Sequence, residues 1–147
     1  PSNRFVAAFV GTPPMNFIDG TLAAGDAMTF VEAGAADGLR IALPAAMTPR
    51  LKPRGEGAVV LGIRPQGLAL PGPQTGGRPS LTLTGDVVET LGDQLDLSGR
   101  TPRGNRIVAR IAAGDRTPAP GERLQLAIDP ARLHVFEPGE FGRNLSL

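Results

Sequence analysis

The sequence predicts a mainly β protein made of small barrels of the OB type, with one short helix near its start. Three observations carry that expectation. Short apolar runs alternate with polar residues, the pattern of half-buried strands. The 20 Gly and 15 Pro are scattered through the 147 residues and punctuate those runs with turns. Roughly eight to ten such runs beside a single helical segment suit small closed barrels. An immunoglobulin-like sandwich is the alternative, weakened by the lack of Cys and Trp.

Taken in order, Ser2 or Asn3 is suited to cap a helix over about residues 3–10. Its apolar positions Phe5, Val6, Phe9 and Val10 fall on one face, which the spacing predicts to pack on the domain's own core. Gly11 suits its end, and Pro13 and Pro14 prevent its continuation. Residues 16–22 read as a strand, residues 24–26 as a turn and residues 28–31 as the returning strand. Asp37 and Gly38 signal another hairpin before the alternating residues 39–43. Residues 44–57, rich in Pro, Arg and Gly, read as a surface loop, and residues 58–63 as a strand. Residues 71–79 are the most linker-like stretch and read as a mobile loop inside the domain. Beyond it, Leu81, Leu83, Gly85 and Val87 alternate with polar residues, Gly85 marking a bulge or a barrel bend. Leu95 and Leu97, then Ile107, Ala109 and Ile111, then Leu124, Leu126 and Ile128 continue the same pattern, with turns at residues 102–105 and 118–121. The chain reads as a single region over residues 1–147, its β modules at about residues 15–137 sharing one core.

Composition narrows the function classes. Hydrophobic residues make up 41%, enough for a packed core. The 15 Lys and Arg against 14 Asp and Glu leave a net charge of +1, so charge predicts no nucleic-acid surface. With no Cys and only His134, thiolate and multi-histidine metal sites are excluded. No apolar run approaches the roughly 20 residues of a membrane span, and no signal-peptide pattern opens the chain. Pro1 is not an initiator Met, so the chain reads as an excised or processed piece.

The motifs argue against an enzyme, and no catalytic, cofactor-binding or metal-ligating residue is assigned. His134 lies between apolar neighbours on the last strand and reads as structural. Asp93 and Asp96 flank a turn with no spacing that general acid–base work requires. A Walker A loop is absent, and Lys52 is followed by Pro53. Residues 97–100 faintly echo an ABC signature, but Arg100 and Thr101 break it in a β context, so they read as a strand ending in a turn. Six Phe with no Tyr or Trp leave few rings for stacking bases, so no nucleic-acid partner is expected.

Four anchors in order resemble one family. They are Phe5-Val6-Ala7-Ala8-Phe9-Val10-Gly11 with Met15-Asn16-Phe17; Gly62-Ile63-Arg64-Pro65; Val87-Val88-Glu89-Thr90-Leu91-Gly92; and Asp129-Pro130-Ala131-Arg132-Leu133-His134-Val135-Phe136. They resemble the C-terminal regulatory (TOBE/OB-type) region of the ATP-binding subunit of ABC importers for sugars or glycerol 3-phosphate. At the second anchor the family continues Glu-His, where Gln66 and Gly67 stand here. The resemblance implies a non-catalytic regulatory and dimerising domain, peripheral on the cytoplasmic face of the membrane, with the opening helix as the connection from an ATPase domain. It implies as partners the subunit's own ATPase domain, a second copy, the membrane subunits and a regulatory protein. ATP and Mg would belong to the parent ATPase domain, with no cofactor in this chain. Physically, Asp129 can cap a turn begun by Pro130, and Arg64 can anchor a strand end through carbonyls or a carboxylate. A competing reading is a standalone small-oxyanion module. Asn16, Gly20 and Leu22 resemble the start of small molybdate-binding β domains, although Pro13, Pro14 and Met15 replace the usual Ser-Ala-Arg.

Overall fold

The computed structural model describes residues 1–34, 37–114 and 116–147. Ten strands stand among them. The first five are β1 (Asn16–Ala23), β2 (Thr29–Glu32), β3 (Arg40–Ala42), β4 (Gly57–Ile63) and β5 (Leu68–Ala69). The others are β6 (Ser80–Leu91), β7 (Gln94–Arg100), β8 (Arg106–Ala112), β9 (Arg123–Ile128) and β10 (Leu133–Phe136). They form two antiparallel five-stranded sheets, ordered β10-β4-β1-β2-β3 and β5-β9-β6-β7-β8. With one short N-terminal helix, α1 (Arg4–Phe9), the protein is mainly β and of the OB type. Among the described residues, no helix is long and apolar enough to cross a membrane.

The inward faces of both sheets meet in one apolar cluster. Ile18, Phe30, Ile41, Leu61 and Val135 from the first sheet share it with Leu83, Leu97, Ile107 and Leu126 from the second. The unbroken apolar run of β4 has a direct cause: the strand is covered on both sides. Val59, Leu61 and Ile63 enter the shared core, while Val60 faces the opposite way against Ala7, Met15 and Phe136. Gly62 permits that second layer, since a Cβ there would lie 2.6 Å from the Met15 sulfur and 2.7 Å from the Phe136 ring.

The chain crosses between the sheets twice, side by side. From β4 it passes through Arg64 and the turn Pro65–Gly67 into β5; from β9 it passes through Asp129 and the turn Pro130–Arg132 into β10. The Asp129 amide donates to the Gly67 carbonyl at 2.8 Å, tying one crossing to the other. The Asp129 carboxylate caps its own turn by accepting from the Ala131 amide at 3.1 Å. Two of the four sequence anchors are therefore the two inter-sheet crossings, with Asp129 as the cap its spacing predicts.

Three local expectations are corrected. Residues 44–57 are not simply a surface loop. They carry the helical turns Ala45–Met47, Thr48–Leu51 (α2) and Lys52–Arg54, which lower Met47 and fully buried Leu51 into the core. Val87 does not continue the inward alternation of β6. A register shift between Gly85 and Val87, at the glycine expected to mark it, turns Val87 outward and packs Val88 against the core instead. Finally, α1 does not lay its large apolar face on the core. Asn3 caps it through the Val6 amide at 2.8 Å, but the fully buried residue is Ala7. The surface beneath is already filled by Met15, Val60 and Phe136, so only a small side chain fits between.

Candidate functional site

Two regions stand out: a polar seam between the sheets and an apolar face on α1. In the seam, Asn16 opens β1 with its side chain buried. Its Oδ1 accepts from the Val108 amide at 2.8 Å, and its Nδ2 donates to the Val108 carbonyl at 2.8 Å and the Ile63 carbonyl at 3.1 Å. The side chain thus imitates a strand residue and adds one rung to the outer edge of β8. Both amide hydrogens are in use, so Asn16 offers no donor to an oxyanion, and Pro13 and Pro14 supply no amide N–H.

Three further contacts close the seam. Buried Glu32 accepts from the Leu39 amide at 2.7 Å and from the Asn105 side chain, joining the β2–β3 hairpin to the β7–β8 turn. Arg103 reaches Asp37 across the same gap at 3.6 Å. Arg110 forms a two-pronged pair with Asp96 at 2.8 and 2.9 Å and donates to the Thr12 carbonyl at 2.9 Å. That hydrogen bond with Asp96 pushes the Arg110 guanidinium's pKa up, with the charges of Asp96 and Glu89 adding to it. Among the described residues, no buried side-chain nitrogen or oxygen lacks a partner. Sequence reasoning missed Asn16, Glu32, Asn105 and Arg110 as clasps. The available signal was a polar residue at the end of an apolar strand, which is also what an ordinary strand boundary looks like.

The other sequence candidates fall elsewhere. Asp96 is paired as above, whereas Asp93 sits exposed at the tip of the β6–β7 hairpin and offers only its carbonyl, to the Ala113 amide. Residues 97–100 lie within β7, as their alternation suggests, and Lys52 is exposed on a helical turn. Arg64 donates to the Val10 carbonyl at 2.9 Å, the carbonyl anchoring expected of it. His134 is half-buried on β10, its Nδ1 lying 3.2 Å from Asn144 Nδ2. The Asn144 Oδ1 accepts from the Ser146 amide at 2.9 Å and hydroxyl at 2.6 Å, which fixes its amide and makes His134 Nδ1 the acceptor. Burial holds the His134 pKa below its ordinary value, aided by Arg64. This is a structural tie to an amide, with no nucleophile in the pair.

The second region is apolar. Phe9 is 73% exposed, Phe141 63% and Val10 52%. Phe5 lies between the other two rings, 4.8 Å from Phe9 and 5.1 Å from Phe141. Beside them opens a groove of about 310 Å³ whose lining includes Arg4, Phe17 and Glu140. Arg4 lies over the Phe17 ring at 5.0 Å, so the groove floor is aromatic and its rim carries one charge of each sign.

Against known proteins, residues 61–136 match the TOBE domain family and residues 11–68 match the MalK OB fold domain. Among curated relatives, the sn-glycerol-3-phosphate import ATP-binding protein UgpC of Chromobacterium violaceum is 38% identical over 138 residues, covering 93% of this chain and 34% of that protein. The protein of the same name from Salmonella typhi is 34% identical over 152 residues, covering 99% and 37%. The chain thus spans about a third of the length of these relatives. Among solved structures, the cytoplasmic molybdate-binding protein ModG superposes with a TM-score of 0.63 at 18% identity, over 84% of this chain and 96% of that one. At that identity the likeness is one of fold. This chain belongs to the TOBE domain family.

Proposed function

We propose that this chain is the non-catalytic regulatory and dimerising domain of an ABC importer's ATP-binding subunit, serving carbohydrate or glycerol-phosphate uptake on the cytoplasmic face of the membrane. The observation that carries the reading is the match over 93–99% of the chain to relatives named as glycerol-phosphate import ATP-binding proteins, of which it makes only about a third. ATP and Mg belong, in this reading, to the remaining part of the parent protein. The domain acts mechanically: paired copies hold two ATPase domains together while these open and close, and a regulatory protein that prefers one arrangement of the pair biases the cycle. The membrane subunits are reached through the parent protein.

The second reading, a small-oxyanion module, is favoured by the fold likeness to ModG. The committed Asn16 amide and the prolines before it weigh against it. Titration calorimetry with molybdate, tungstate, sulfate and glycerol 3-phosphate separates the two. Silence from all four is expected of the regulatory domain, and tight binding of molybdate or tungstate to this chain would move the oxyanion reading to first place. Sequencing the gene upstream of Pro1 is the companion test. An in-frame Walker A loop and ABC signature are expected, and a start codon immediately before Pro1 would count against the transporter reading.

A further inference from the structure

We infer that His134 is a proton-operated latch: when neutral it holds the opening segment that carries α1 against the body of the domain, and when charged it lets that segment go. Residues 142–146 run as a strip between β10 and the opening residues. On one side the Leu145 amide donates to the Val135 carbonyl at 2.7 Å, and the Glu137 amide donates to the Arg143 carbonyl at 2.9 Å. On the other side the Asn144 amide donates to the Ser2 carbonyl and the Arg4 amide to the Gly142 carbonyl, both at 2.9 Å. The Asn144 side chain spans the strip. Its Nδ2 gives one hydrogen to the Pro1 carbonyl at 2.9 Å and the other to His134 Nδ1 at 3.2 Å.

This arrangement accepts only the neutral ring. A proton on Nδ1 sets donor against donor. The Asn144 amide cannot turn over to meet it, since that would set Oδ1 against the Pro1 carbonyl and Nδ2 against the Ser146 amide. The groups around the ring do not welcome the charge either. The crossing after β4 brings Arg64, a cation outside every ion pair found among the described residues. Across the ladder β4 offers Gly62, and β10 offers the Phe136 ring. Arg143 on the strip and Glu137 after β10 are occupied with each other at 3.0 Å. Arg64 also holds the far end of the opening segment, through the Val10 carbonyl at 2.9 Å. A charged His134 therefore opposes both fastenings of residues 1–10. The contacts that pin the two sheets together, at Asn16, Glu32 and Asp129, involve neither His134 nor Asn144. The latch depends only on this chain, whatever parent protein carries it.

The test is a nuclear magnetic resonance titration of this chain through the protonation of its single His, whose ring gives one signal to follow. Pro1 is acetylated so that no terminal amine acts on the ring. As the ring takes up its proton, amide exchange at Arg4 and Asn144, corrected for the intrinsic effect of pH, should quicken by about tenfold or more, while the amides of β6 and β7 keep their protection. His134→Gln, which has no proton to gain, should keep Arg4 and Asn144 protected throughout. Asn144→Asp sets a carboxylate oxygen where Nδ2 stands and should raise the midpoint of the ring's titration by about one pH unit or more. Unchanged protection at Arg4 and Asn144 across the titration would overturn the latch. So would quickening that persists in His134→Gln, a loss of protection shared equally by β6 and β7, or a midpoint that Asn144→Asp leaves in place.

Discussion

The seam and the aromatic face are built from opposite materials and left in opposite states. In the seam, Asn16 and Glu32 are buried and Arg110 is half-buried, and each is answered, Asn16 by three backbone groups and Arg110 by a carboxylate and a carbonyl. On α1, apolar rings stand in solvent with only each other for company. A buried amide without partners costs stability at once, so the seam has to be self-sufficient. Exposed rings cost little in the isolated fold, so their clustering points outward. The contrast teaches that the domain completes its own interior while one apolar face stays in solvent.

The sharpest way to break this contrast is at Asn16. Asn16→Ala removes three hydrogen bonds, to the half-buried Val108 amide and carbonyl and to the Ile63 carbonyl, and should cost about 3 kcal/mol in urea unfolding. A loss under roughly 1 kcal/mol would mean that the apolar core alone holds the sheets together. Next in size is Gly62→Ala, which drives a methyl into Met15 and Phe136 beneath α1. It should cost about 1–3 kcal/mol by overpacking, and an unchanged midpoint would show that the layer under the helix is loose. Asp129→Ala removes the cap at one crossing and should lower stability by about 1 kcal/mol; Asp129→Asn, which keeps the acceptor, should recover most of it.

The smallest effect is a pH dependence at His134. Its folded pKa lies below the ordinary value near 6.5. Between those two values the unfolded chain binds the proton more readily than the folded one. Stability therefore rises with pH through that window, is fully present above it and is lost as the ring is protonated below it. Thermal melts taken from about pH 7 down to pH 5 should fall, and His134→Gln should flatten the slope. A slope unchanged in that variant would assign the dependence to other groups.

The sequence showed the strands and two of the anchors well, for definable reasons. Alternation marked β7, β8 and the first half of β6 because each buries one face there, and Pro130 after Asp129 announced a capped turn. It misled where one residue changes a face: the bulge after Gly85 flips Val87, a displacement that leaves the local pattern intact. The helix misled for another reason. Periodicity finds an apolar side but not what that side meets, and here the small Ala7 faces inward while the phenylalanines face out. The clasps were illegible because each joins residues far apart, such as Asn16 with Val108 and Glu32 with Asn105, and no local signal pairs them.

The side-by-side crossings carry a mechanical consequence. With Asp129 tied to Gly67 at the crossings, Asn16 riveted to β8 and Glu32 to the β7–β8 turn, the two sheets are pinned to one another at three places. A push delivered at α1 should therefore reach β3 as a rotation of the two sheets together.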